Sequence, residues 1–181
     1  MLFMVLIFLI SLLSTFCVYA DDPTNKALIS STIGPMLINQ KGQSIGRAKL
    51  YTTDHGSLVS LTVCNLSPGW HAVHLHEEGK CNDYLRGFKQ AKDIFNPRKV
   101  PHGIANSQSK RGYSLGSLAN VYVSVNSCAQ IEQLIPNLDK RVLRSHRKGI
   151  ALIIHEFADD YKTQPHGEAG ERLACAVLIP R

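Results

Sequence analysis

The chain has 181 residues, with 20 Lys and Arg against 14 Asp and Glu, a formal net charge of +6 and 44% hydrophobic residues. Its basic residues are not interleaved with aromatics, so no nucleic-acid partner is expected. Beyond the first twenty residues no apolar stretch is long enough to cross a bilayer, so no membrane contact is expected once those residues are removed.

Residues 1–20 carry no charged side chain and end in Val18-Tyr19-Ala20, followed by polar Asp21-Asp22-Pro23. A short apolar run with a small residue at its end reads as a secretory signal peptide. Residues 21–181 then form one exported domain, periplasmic or extracellular, and about 160 residues are enough for a real core. An uncleaved N-terminal anchor is the competing reading. Four cysteines remain after cleavage: Cys64, Cys81, Cys128 and Cys175. An oxidising compartment favours disulfides, and spacing does not choose among the three possible pairings.

Short apolar runs separated by turn signals predict an all-β sandwich or barrel. Ala27 to Ile33 reads as a strand broken by Gly34-Pro35, and Met36 to Asn39 as a second. Ile45 to Thr53 and Ser57 to Asn65 alternate as strands, the latter setting Val59, Leu61 and Val63 on one face. Pro68-Gly69 turns the chain into Gly69-Trp70-His71-Ala72-Val73-His74-Leu75-His76. On a strand His74 and His76 share a face, opposite Val73 and Leu75, which is the start of a metal site. Cys81 to Gly116 is rich in Gly and Pro without periodicity, and a loop of this length in a compact domain is usually functional. Asn120 to Asn126 returns to strand. Ile131 to Arg147 is ambiguous, a helical turn near Ile131 to Leu134, before Pro136, being one reading. Gly149 to His155 is apolar and ends on histidine. Glu156 to Glu171 is a second long loop, and Arg172 to Ile179 is the last strand. The basic run Lys140 to Lys148 reads as a solvated turn.

Further pieces complete a pattern: Phe95-Asn96-Pro97, His102-Gly103, Leu115-Gly116-Ser117-Leu118-Ala119-Asn120-Val121, His155-Glu156-Phe157-Ala158-Asp159-Asp160 and Gly170-Glu171-Arg172-Leu173-Ala174-Cys175. Together with the His strand they resemble, in order, the copper/zinc superoxide dismutases. Gln164-Pro165 and the position of Cys81 are more similar to the bacterial exported branch. The fold implied is an eight-stranded Greek-key β-barrel with two long functional loops. By position, the resemblance makes His74, His76 and His155 copper ligands and His71 a buried structural histidine. Asp159 becomes the carboxylate linking the copper-side and zinc-side histidines, and Arg172 the arginine that holds superoxide beside copper. It pairs Cys81 with Cys175, leaving Cys64 and Cys128 to pair with each other or, for Cys64, to remain a buried thiol.

The chain departs from the family at the zinc site. The bridging histidine before Phe-Asn-Pro is Ile94, and two further ligand positions align to Ser114 and Ser117, with Tyr113 or Arg111 able to shift in. His102 is then a possible remnant zinc ligand. A closed zinc site needs about four donors, so copper is the expected cofactor and no structural zinc is expected. The resemblance implies alternating reduction and reoxidation of copper by superoxide, with the bridging histidine carrying a proton. Without it the three-histidine set resembles the reduced, trigonal form, and Asp93 or water is left as a partial substitute. The chain therefore reads as a divergent copper-dependent superoxide dismutase with reduced activity, its substrate superoxide. The alternative is a non-catalytic copper-binding protein of the same fold, acting in storage, delivery or buffering. The sequence leaves the oligomeric state open.

Overall fold

The computed structural model describes residues 34–103 and 113–180. The expected signal peptide, the strand Ala27 to Ile33 and Arg111 lie outside the described residues. Among the described residues there are nine strands: β1 Met36–Asn39, β2 Ser44–Thr52, β3 Gly56–Cys64, β4 Gly69–His71, β5 Val73–His76, β6 Val121–Val123, β7 Cys128–Pro136, β8 Ile150–His155 and β9 Arg172–Ile179. Only Ala72 separates β4 from β5, so the two act as one interrupted strand and the count of staves is eight.

Seven strands form one antiparallel sheet in the order β5-β8-β9-β1-β2-β3-β7, and β4 pairs with β6. The β6–β7 turn is held by the Ser124 amide donating to the Cys128 carbonyl at 3.2 Å. The small sheet therefore bridges β7 back to β4 and curls the whole into a barrel. The chain passes over the barrel between β3 and β4 and again between β7 and β8, the crossings of a Greek key. Period-two alternation sets the interior: Val59, Leu61 and Val63 of β3, Val73 and Leu75 of β5, and Ile150, Leu152 and Ile154 of β8 are buried in one core.

One ambiguity of the sequence is resolved. Ile131 to Leu134 is not a helical turn but the middle of β7, paired with β3 from Cys128 to Pro136. Alternation explains it. Ala129, Ile131 and Ile135 face the core while Gln130, Glu132 and Leu134 turn away. The short helix falls later, as α1 Lys140–Ser145, where the Asp139 carboxylate accepts from the Val142 amide at 2.8 Å.

Two disulfides are present among the described residues. Cys64 and Cys128 lie directly opposite one another at the end of the β3–β7 ladder and are bonded. Cys81 is bonded to Cys175. This second bond pins the Cys81–Gly116 loop to β9, over a small cluster that buries Phe88, Ala91, Ala151 and Ile153. The loop carries two single-turn 3-10 segments, Tyr84–Arg86 and Lys89–Ala91.

Candidate metal centre

His74 and His76 stand on the face of β5 opposite Val73 and Leu75, so they point away from the barrel core. β5 pairs with β8, whose outward residues Ala151 and Ile153 lead to His155 on the same side. A bulge between Ile154 and His155 re-aims that last side chain where β8 meets Arg172 of β9. Loop residues cover this patch from both sides. His74, His76 and His155 are consequently 0%, 0% and 3% exposed although none lies in the barrel interior. Their candidate ligand atoms all fall within 4.8 Å of one another.

The hydrogen bonds fix which nitrogen of each ring is free. His74 Nε2 donates to Asp159 Oδ2 at 2.8 Å, His76 Nδ1 to the Lys92 carbonyl at 2.7 Å, and His155 Nδ1 to the Gly170 carbonyl at 3.3 Å. Carbonyl and carboxylate oxygens only accept, so these three nitrogens carry the protons. The lone pairs that remain are on His74 Nδ1, His76 Nε2 and His155 Nε2. The first and third lie 3.2 Å apart with no proton left to share between them. His76 Nε2 is buried with no partner among the described residues. Three converging lone pairs, one orphaned and two repelling, are what a cation would satisfy, and imidazole suits both oxidation states of copper. The residues fit the metal.

Burial keeps the ligands neutral. It pushes His155 down to about 3, with His74 adding to the effect. It sets His76 well below its usual value, helped by Arg172 and His155. His74 is also lowered by burial, against the pull of Asp159. For Asp159, burial would raise the carboxyl, but hydrogen bonds from His102, His74 and the Tyr161 amide outweigh it and hold the group far below the carboxylate range.

Arg172 opens β9 half-buried beside the triangle. Its guanidinium donates to the Phe88 carbonyl at 2.8 Å and the Lys92 carbonyl at 2.7 Å. His71 stands apart from the triangle. It is 2% exposed, with Nδ1 on the His155 carbonyl and Nε2 on the Ser67 carbonyl, so it buttresses the strand behind the ligands.

On the far side of Asp159 lies His102, whose Nε2 donates to Asp159 Oδ1 at 2.9 Å. His74, His102 and Asp159 are close enough to hold an ion. Both ring nitrogens that face the carboxylate carry hydrogens, however, so the trio is a hydrogen-bonded bridge. Ile94 is buried and backbone-paired with His76, so a hydrocarbon occupies the position between the two histidine groups. A cavity of about 330 Å³ opens there, lined by Asp93, Ile94, His102, Ser114 and His166 among others. Asp93 sits exposed at its rim, 3.8 Å from His166.

The family model for copper/zinc superoxide dismutase matches residues 44–178. The chain belongs to this family. It is 40% identical over 147 residues to superoxide dismutase [Cu-Zn] 1 of Aquifex aeolicus, covering 78% of this chain and 84% of that protein. It is 32% identical over 143 residues to the superoxide dismutase [Cu-Zn] of Caulobacter vibrioides, covering 76% and 79%. Among solved structures, a superoxide-dismutase-like protein from Bacillus subtilis superposes with a TM-score of 0.68 at 30% identity, covering 80% of this chain and 96% of that one.

Several residues around the three histidines escaped sequence reasoning. Lys92 and Gly170 act only through their carbonyls. Asn120 accepts from the Asp159 amide and donates to its carbonyl, and Tyr161 places its amide on Asp159 Oδ1 at 2.6 Å. Gly167 packs so closely that a Cβ there would lie 1.8 Å from Asp159 Oδ1. The glycines of the Glu156 to Glu171 loop were the one available signal.

Proposed function

We propose that this chain is an exported, copper-dependent superoxide dismutase that works with one metal and turns over more slowly than two-metal members of its family. The observation that carries the reading is the convergence of the His74, His76 and His155 lone pairs, with His76 Nε2 orphaned, next to a half-buried arginine. Copper bound there supplies one-electron chemistry, and the net reaction joins two superoxides and two protons into dioxygen and hydrogen peroxide. The chain's own residues do the rest. Arg172, its guanidinium fixed by two carbonyls, offers its remaining N–H groups to the anion. Neutral imidazoles keep the ligand set available at physiological pH.

Proton delivery is where the chain is weak. Ile94 has no proton to give, so protons come from solvent; the nearest titratable groups beyond Ile94 are Asp93 and His166, at the cavity that Ile94 lines. His102 is the sole imidazole among the four positions where the family keeps zinc, so zinc is not held. Residues 1–20 serve as the signal peptide, in keeping with two disulfides in the domain that follows. Ile94 also favours a second reading, a copper carrier or buffer without catalysis.

The test is to purify the oxidised domain, measure bound copper and zinc, and follow superoxide decay. One copper per chain with decay well above buffer supports the enzyme. One copper with decay at the buffer rate leaves the carrier. No copper uptake removes both.

A further inference from the structure

We propose that the Ser117 hydroxyl is a positioning residue for copper: it takes the place of a second metal on His102 and so keeps His74 aimed without one. The bond that carries this is Ser117 Oγ to His102 Nδ1, 3.1 Å, between residues 4% and 6% exposed. Its direction follows from proton bookkeeping. Asp159 accepts only, so His102 Nε2 carries a hydrogen. In the neutral ring Nδ1 is then a lone pair, and the hydroxyl must donate to it. A metal at Nδ1 would do the same two things, occupying the lone pair and fixing the ring plane.

The path to copper is continuous. Ser117 donates to His102, and His102 and His74 both donate to the Asp159 carboxylate, leaving His74 Nδ1 in the triangle. Every member is buried. Ser117 is itself held against the ligand strand. Its backbone pairs with His74, while Leu75 donates to the Gly116 carbonyl and Leu118 to the Val73 carbonyl, at 2.8 and 3.1 Å. The hydroxyl is therefore in register with the histidine it serves. A group bonded directly to a metal ligand, as Asp159 is to His74, is worth about 10–100-fold in metal affinity; Ser117 acts on that group through His102, so its loss falls at the lower end.

The inference rests on the copper reading for its consequence but not for its first measurement. Nitrogen NMR of the metal-free domain reads His102 directly. We expect Nε2 protonated, and Nδ1 as a hydrogen-bonded lone pair. In Ser117→Ala the Nδ1 resonance moves toward that of a free lone pair, and copper affinity falls about tenfold. Ser117→Thr keeps a hydroxyl and restores both to near the parent values. A parent His102 with Nδ1 protonated overturns the proposal, as does a Ser117→Ala protein whose Nδ1 resonance and copper affinity match the parent. One zinc per chain bound through His102 in the parent also overturns it. If copper fails to bind the parent at all, the copper reading falls, while the His102 resonances still decide what Ser117 does.

Discussion

His76 and Arg172 hydrogen-bond to the same backbone oxygen, that of Lys92, each at 2.7 Å. One carbonyl thus sets the tautomer of a proposed copper ligand and the position of the group proposed to hold the substrate anion. The two functions cannot be displaced independently. Lys92 holds that carbonyl in place with φ +63 and ψ −146, a backbone conformation that L side chains rarely adopt. Its own side chain is exposed.

Lys92→Gly should therefore stabilise the protein while leaving the centre intact. Relieving a strained non-glycine residue returns about 1–3 kcal/mol, and the greater freedom of glycine in the unfolded chain takes back about 0.5–1. We expect a net gain of about 1 kcal/mol in urea unfolding of the oxidised protein, with copper affinity unchanged. A loss of stability would mean that Lys92 is not strained.

The metal-free protein should weaken as pH falls below neutrality. The three histidines of the triangle have folded-state pKa values depressed by burial, His155 to about 3. Unfolded, each takes up a proton near 6.5, so below that pH the unfolded state binds more protons and is favoured. Each histidine adds a slope of up to about 1.4 kcal/mol per pH unit, ending for His155 near its folded value. Asp159 adds a further loss only as pH falls below its ordinary carboxylate value, because its folded pKa is depressed too. Urea midpoints of chelator-treated protein between pH 7 and 4 measure this. A flat profile would contradict neutral burial of the cluster.

The face shared by His74 and His76 was legible in the sequence because strand periodicity is strict: Val73 and Leu75 had to turn inward. The meeting with His155 was legible only through resemblance, since no local rule brings together residues so far apart. β7 is ambiguous in the sequence for a physical reason. Polar Gln133 on the inward side and apolar Leu134 on the outward side break its alternation, and Pro136 suggests an end, whereas nine residues of pairing with β3 decide the matter. The Cys64–Cys128 bond depends on that same register, which spacing does not encode. Lys92, Gly167 and Gly170 act through the backbone, so their side chains carry no trace of the work.

Ile94→His should raise dismutase turnover. Ile94 is 7% exposed and backbone-paired with His76, so an imidazole there enters beside the triangle. It restores a group able to carry a proton where the parent has hydrocarbon. General acid–base assistance is worth about 100–10,000-fold when fully positioned. Gly116 lies against the Ile94 side chain and limits how the ring can settle, so we expect about tenfold. Superoxide decay at matched copper loading measures it. Normal copper binding with no gain in rate would show that the missing histidine is not what limits the chain.

Gly167→Ala should break the bridge that aims His74. A Cβ at 167 would stand 1.8 Å from Asp159 Oδ1 and 2.8 Å from His102 Nε2, and φ is +67. Asp159 cannot retreat, because Asn120 and the Tyr161 amide hold it. The cost combines left-handed strain of about 1 kcal/mol with loss of a charge-assisted hydrogen bond of about 1.5–3 kcal/mol. We expect about 3 kcal/mol in all, a fall of about 10 °C in Tm, and weaker copper binding. Gly87→Ala is the matched control. It has φ +72 and nothing within 4 Å of a new Cβ, so it should lose only the strain and keep its copper affinity. Equal losses in the two variants would mean that backbone conformation alone, and not the Asp159–His102 contact, is what Gly167 protects.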